Sequence, residues 1–146
     1  MIITSAAEDD IPRLLEIEQE AFSPPWTHGA LLSEIYRADS FFAVARDSQT
    51  EPVLGFVILR SAGGEGELLQ IAVDKAARRR GTADLLLRAV IRSAESGSVS
   101  SVFLEVRKSN DAAVALYKKH GFQPVSTRKD YYDSPVEDAL VMAREA

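Results

Sequence analysis

The chain has 146 residues, 46% hydrophobic and 27% charged, with a formal net charge of -5 and no cysteine. That length suits one domain over residues 1–146 with a sizeable core, and the acidic balance argues against a nucleic-acid binder, which would be basic. The lack of cysteine excludes a disulfide scaffold, a thiolate zinc site and an acyl-cysteine intermediate, while His28 and His120 lie too far apart to suggest a metal.

No apolar run is long enough to span a bilayer, and Met1–Thr4 is too short for a secretory signal, so a cytoplasmic protein without a membrane partner is expected. Met1 to Ala6 reads as an edge strand. Glu8, Asp9 and Asp10 put carboxylates where a helix start favours them, and Pro12 is tolerated in a first turn. That helix runs to about Phe22 with Ile11, Leu14, Leu15, Glu18 and Phe22 on one face, Glu18 being the polar exception. Pro24 and Pro25 end it, and Thr27 can cap a second helix through about Ala38. Ser40–Arg46 and Pro52–Arg60 form a hairpin. After a glycine turn, Leu68–Val73 reads as a buried strand interrupted by Gln70.

Next comes a basic connection, Asp74 to Arg80, then Gly81 and a helix with Leu85, Leu86, Ala89 and Val90 at helical spacing, stopped by Ser96 and Gly97. Val99–Arg107 is a strand that closes a βαβ unit and so implies parallel neighbours. Asn110 caps a short helix, Asp111–His120, ended by Gly121. Phe122–Arg128 and Ala139–Arg144 are strands joined by Lys129–Asp138. The expected fold is a mixed α/β sheet of about seven strands and about four helices, antiparallel in its N-terminal half.

A strand, a basic loop with glycine and a helix start together make an anion site, because first-turn N–H groups lack intrahelical partners and the helix dipole adds positive charge. Gly81 lets a phosphate approach the backbone, and Ala83 keeps the next contact small. Neither GxxxxGK[ST] nor GxGxxG is present. Arg78-Arg79-Arg80-Gly81-Thr82-Ala83 resembles the [QR]xxGx[GA] motif of the GNAT N-acetyltransferases, and Leu104 to Phe122 resembles that family's LEVRxSNxxAxxLYxxxGF block. With Pro24-Pro25-Trp26, Arg128 to Tyr132 and Glu137-Asp138-Ala139, the chain is similar from end to end to the subgroup that acetylates the N-terminal alanine of ribosomal proteins.

The resemblance implies acetyl-coenzyme A as co-substrate, the N-terminal peptide of a ribosomal protein as acceptor, and no metal. It implies that Ile71, Ala72 and Val73 line the acetyl and pantetheine arm beside a strand bulge, that Arg79, Arg80, Gly81, Thr82, Ala83 and Asp84 bind the pyrophosphate, and that Asn110 contacts the coenzyme. Thr82, usually apolar in relatives, and Lys75, commonly proline, depart from the pattern and bear on affinity.

Amine acetylation needs a base and a proton for the departing thiolate. Glu105 lies mid-strand and points away from Leu104 and Val106; its pattern alone leaves a solvent-facing glutamate open, whereas the family position implies the base, with Asp74 and Glu67 as weaker candidates. Tyr117 is either a core tyrosine or, by resemblance, the proton donor. Trp26 and Tyr131, with Tyr132, fall where the family shapes its peptide groove, and a hydrophobic staple remains the alternative. Glu34, Asp39, Asp130 and Asp133 are candidates to attract a basic tail, and both histidines read as structural, His120 serving helix-end carbonyls. Lysine, polyamine or small-molecule amines, or coenzyme binding without catalysis, are the alternatives.

Overall fold

In β2 (Ser40–Arg46) and β3 (Gly55–Ala62), consecutive side chains from Phe42 to Ala45 and from Phe56 to Leu59 are all buried, so both faces of these strands must be covered. The computed structural model, which describes residues 1–145, covers each face with helices. Phe42, Val44, Phe56 and Ile58 pack with Ile11, Leu14, Ile17 and Leu31 of α1 (Ile11–Ala21) and α2 (His28–Ile35). Ala43, Ala45, Val57 and Leu59 pack with Leu86, Leu87, Val90 and Ala94 of α3 (Thr82–Ser96) and with Tyr117 of α4 (Asp111–Lys119). The period-two alternation of the strands thus feeds two cores, one per face.

The sheet has seven strands in the order β1 (Ile2–Ser5), β2, β3, β4 (Glu65–Val73), β5 (Ser101–Arg107), β7 (Glu137–Glu145), β6 (Gln123–Tyr132). Every neighbouring pair is antiparallel except β4 and β5, which are parallel and joined through α3. The expected mixed α/β sheet, its βαβ unit and its four helices are therefore present.

Element ends differ from expectation where side chains or pairings intervene. Glu8–Asp10 is a 3-10 turn ahead of α1, held by Asp10 Oδ2 accepting the Ala7 N–H at 2.9 Å. Thr27 caps α2 as expected, accepting from Ala30 N at 3.1 Å, but the helix stops at Ile35 rather than near Ala38. The last hairpin is longer than its pattern suggests. Tyr132 pairs with Glu137 beyond a register shift, leaving only residues 133–136 as the connection. Arg107 at the end of β5 clamps that turn, donating to the carbonyls of Asp133 at 2.8 Å and Pro135 at 2.9 Å, with its guanidinium 4.5 Å from the Tyr132 ring centre. Among the described residues, no helix is long and apolar enough to cross a membrane.

Leu86, fully buried between α3 and the sheet, ties the helix to the strand it follows. Leu86→Ala should lower unfolding free energy by about 2–5 kcal/mol, measured by urea denaturation; a loss below about 1 kcal/mol would mean that this helix is not anchored as described.

Candidate active site

The parallel ladder between β4 and β5 is short. It pairs Glu65 with Ser101, Gly66 with Val102 and Glu67 with Phe103, and then stops. Just beyond, the antiparallel register of β3 and β4 slips, from Leu59–Leu68 to Ile58–Gln70, leaving Leu69 as an extra residue. Such a bulge bends its strand. From Leu68 onward β4 has β3 on one side and no ladder partner on the β5 side. The extra residue also puts two consecutive side chains on one face: Leu69 packs with the α1 and α2 core, and Gln70 reaches Glu18 of α1. Ile71 and Val73 contact the opposite core, and Ala72 the first. The three residues expected to line a pantetheine arm therefore stand on the open edge of the gap.

At the far end of that gap β4 runs into a basic turn and α3. Gly81 is the N-cap of α3 in the left-handed region, with φ +79°, and supplies no side-chain cap. A Cβ there would meet nothing within 4 Å, so glycine is required by backbone conformation rather than by crowding. The first-turn N–H groups of α3 thus lack a side-chain cap, as an anion site needs. Arg79 is also left-handed, with φ +64°. Arg78 faces Glu20 at 3.8 Å and Arg80 binds Asp47 at 2.5 Å, so Arg79 is the one arginine of the triplet without an ion pair among the described residues. The side chains of Thr82 and Asp84 point elsewhere. Thr82 is buried and its hydroxyl donates to Ala77 O at 3.3 Å. Asp84 binds His120 Nε2 at 2.7 Å and Lys119 at 3.0 Å, and these contacts hold its carboxyl below the usual range. Of these two only the backbone can serve an anion. His120 is structural as expected, though through Asp84 rather than helix-end carbonyls. Asn110 Oδ1 accepts from Ala113 N at 3.2 Å, capping α4, and its amide N–H groups have no partner among the described residues.

Glu105 sits on β5 between Leu104 and Val106, both buried in the α3 core, and faces the other way. It lines a cleft of about 320 Å³ with Glu65, Glu67, Phe103, Arg60 and Arg128. Its Oε1 lies 3.8 Å from Arg128 Nε, while its Oε2 is buried without a hydrogen-bond partner among the described residues. The carboxylate, as acceptor facing the Tyr131 phenol, pushes the Tyr131 pKa up. Arg128 lies over the Tyr131 ring at 5.4 Å, and the Tyr131 and Tyr132 rings meet edge to face at 5.1 Å. Tyr117 lies on the opposite face, in the α3 core, against Phe122 at 5.9 Å. Burial pushes its phenol up to about 12, with a smaller contribution from Tyr132. Tyr132 stands near both groups. Its own phenol is pushed up to about 12 by burial and then by the charge of Glu105. Asp74 does not stand free as a base. It is paired with Arg13 and accepts the Ala76 N–H at 3.1 Å, and the arginine holds its carboxyl below the usual range. Glu67 remains in the cleft.

The Trp26 ring is half-buried against the α1 and α2 core. Its backbone N–H donates to Glu18 Oε1 at 2.8 Å, and Gln70 Nε2 donates to the same oxygen at 3.2 Å. Glu34 is buried and paired with Arg60, and Asp39 is paired with Arg37, so neither is free to draw in a basic tail; Asp130 and Asp133 are exposed. Glu18 and Gln70, which each interrupt an apolar pattern in the sequence, thus meet between α1 and β4.

Burial raises the Glu18 pKa. Unfolded, a glutamate titrates near 4.3, so between that value and the higher folded one the native state holds more protons and stability falls as pH rises. Glu18→Gln should therefore gain on wild type in urea unfolding free energy from pH 4 to pH 8. A difference constant across that range would contradict the assignment.

The match to known proteins is with the family described as acetyltransferase (GNAT), over residues 11–122. The [ribosomal protein bS18]-alanine N-acetyltransferase of Haemophilus ducreyi is 34% identical over 145 residues, covering 97% of this chain and 98% of the relative. The crystal structure of the ribosomal-protein-S18-alanine N-acetyltransferase from Escherichia coli matches with a TM-score of 0.86 and 32% identity, over 99% of this chain and 92% of that one. Ard1 from Thermoplasma volcanium matches with a TM-score of 0.89 and 28% identity, over 99% and 97%.

Proposed function

Because this chain belongs to the acetyltransferase (GNAT) family, we propose that it moves an acetyl group from acetyl-coenzyme A to the N-terminal α-amine of a ribosomal protein that begins with alanine. One observation carries the choice of acceptor: the likeness to enzymes named for that acceptor runs from end to end of both chains. The reading carries a cytoplasmic setting with it. The residues present fit the coenzyme, since an uncapped helix start with Gly81 and three arginines adjoins a strand edge open from Leu68 to Val73.

When bound, acetyl-coenzyme A supplies the thioester carbonyl that the amine attacks and the thiolate that leaves. The chain supplies the rest. Arg79 and the N–H groups of Gly81 to Asp84 hold phosphate, and the open edge of β4 offers backbone donors to the carbonyl oxygen. Glu105 Oε2, buried and without a hydrogen-bond partner among the described residues, takes the amine proton. An α-amine, with pKa near 8 against about 10.4 for lysine, is the easier group to deprotonate there. Tyr117 donates its phenolic proton to the departing sulfur, and its pKa of about 12 keeps that proton in place at any working pH. Tyr131 and Trp26 border the acceptor.

The test is mass spectrometry of ribosomal N-terminal peptides incubated with acetyl-coenzyme A. Wild type should acetylate an alanine-starting peptide, and Glu105→Gln and Tyr117→Phe should each lose roughly 10²–10⁴-fold in kcat with coenzyme binding intact. Preference for a lysine side chain or a small amine would overturn the acceptor. Because burial holds the Tyr117 phenol protonated, kcat should not fall between pH 8 and pH 10; an alkaline fall in that window that disappears in Tyr117→Phe would mean that this phenol titrates there and is not held up by burial.

A further inference from the structure

Glu18 and Gln70 are both buried, at 0% and 7% exposure, in a region otherwise lined by Ile17, Leu14, Phe56 and Ala72. Glu18 Oε1 receives two donors, the Trp26 backbone N–H and Gln70 Nε2, which join residues 8 and 52 positions away along the chain. Glu18 Oε2 and Gln70 Oε1 have no hydrogen-bond partner among the described residues. Burying such groups incompletely satisfied destabilises a fold, and an apolar pair of similar volume would serve a core better. The arrangement therefore has a use other than stability.

Its position shows what that use is. Gln70 faces α1 because Leu69 is the bulge residue; without the extra residue the alternation of β4 would send it to the other core. The Trp26 N–H closes the segment between α1 and α2, on the acceptor side of the gap. We propose that Glu18, acting through Gln70, is a positioning residue that locks the β4 bulge and the Ser23–Trp26 segment into one unit, so that the edge serving the acetyl group and the wall serving the acceptor keep a fixed relation. This rests on the acetyl-transfer reading above. The coenzyme's phosphate site, at Arg79 to Asp84, lies outside the locked unit.

The test compares Glu18→Met, Gln70→Met and Glu18→Gln in the full chain, with steady-state kinetics for an alanine-starting ribosomal peptide and for acetyl-coenzyme A. Both methionine variants should lose roughly 10- to 100-fold in kcat/KM for the peptide, the scale of a small misplacement of reacting groups. Glu18→Gln keeps an acceptor for the Trp26 N–H and adds a donor that Gln70 Oε1 can take, so it should restore the peptide value. Wild-type kinetics in both methionine variants, or equal losses in Glu18→Met and Glu18→Gln, would overturn the proposal. If Glu18→Met does not fold, Gln70→Met against Glu18→Gln decides it on the same terms. Failure of the acceptor reading shows separately, as a wild type that acetylates no peptide. Amide exchange of Leu69 to Ala72 then decides: faster exchange in the methionine variants but not in Glu18→Gln supports the lock, and unchanged exchange overturns it.

Discussion

β4 does not stay hydrogen-bonded to both neighbours along its whole length, and the rest of this structure depends on where it gives up one of them. It keeps β3 throughout, with a bulge at Leu69, and leaves β5 after Glu67. A parallel pair that continued to Val73 would bury its backbone donors in a ladder. Released, they border the gap between β4 and β5, and β4 leads on through a basic turn to the first turn of α3. The βαβ connection makes the gap useful: the helix after the opened strand must begin at its C-terminal end, so the uncapped N–H groups and the arginines fall there without further arrangement.

The two cores divide the labour. The α3 core is almost purely apolar and holds Tyr117 with a phenol that burial keeps protonated. The cleft on the opposite face is rich in charge, and there Glu105 meets Arg128 and Tyr131 while Glu34 is neutralised by Arg60. Glu105, on β5, and Tyr117, on α4, thus stand in surroundings of different polarity. Tyr132, close enough to feel Glu105 and to influence Tyr117, lies between the two environments.

Much of this was legible in the residue pattern. Ser40–Arg46 alternates between two buried faces, Gly81 and Gly121 stand where left-handed backbone ends or begins a helix, and Thr27 and Asn110 cap as their types predict. What could not be read was contact between distant residues. Asp74 and Asp84 have the spacing of site residues, but Arg13 claims one, and His120 with Lys119 the other. Tyr132 extends β6 because Arg107 holds the turn, an interaction spanning two hairpin arms and a third strand. Glu18 and Gln70 each broke an apolar pattern. Two such interruptions on different elements become informative only when the fold brings them together, and here the bulge does so.

The coenzyme site proposed for this chain is the edge of β4 released by the bulge together with the start of α3. Amide hydrogen exchange with and without acetyl-coenzyme A tests it most directly. New protection is expected at Leu69 to Val73 and at Gly81 to Asp84, with β1 and β2 unchanged. Protection confined to other elements, with the β4 edge exchanging as in the free protein, would contradict it.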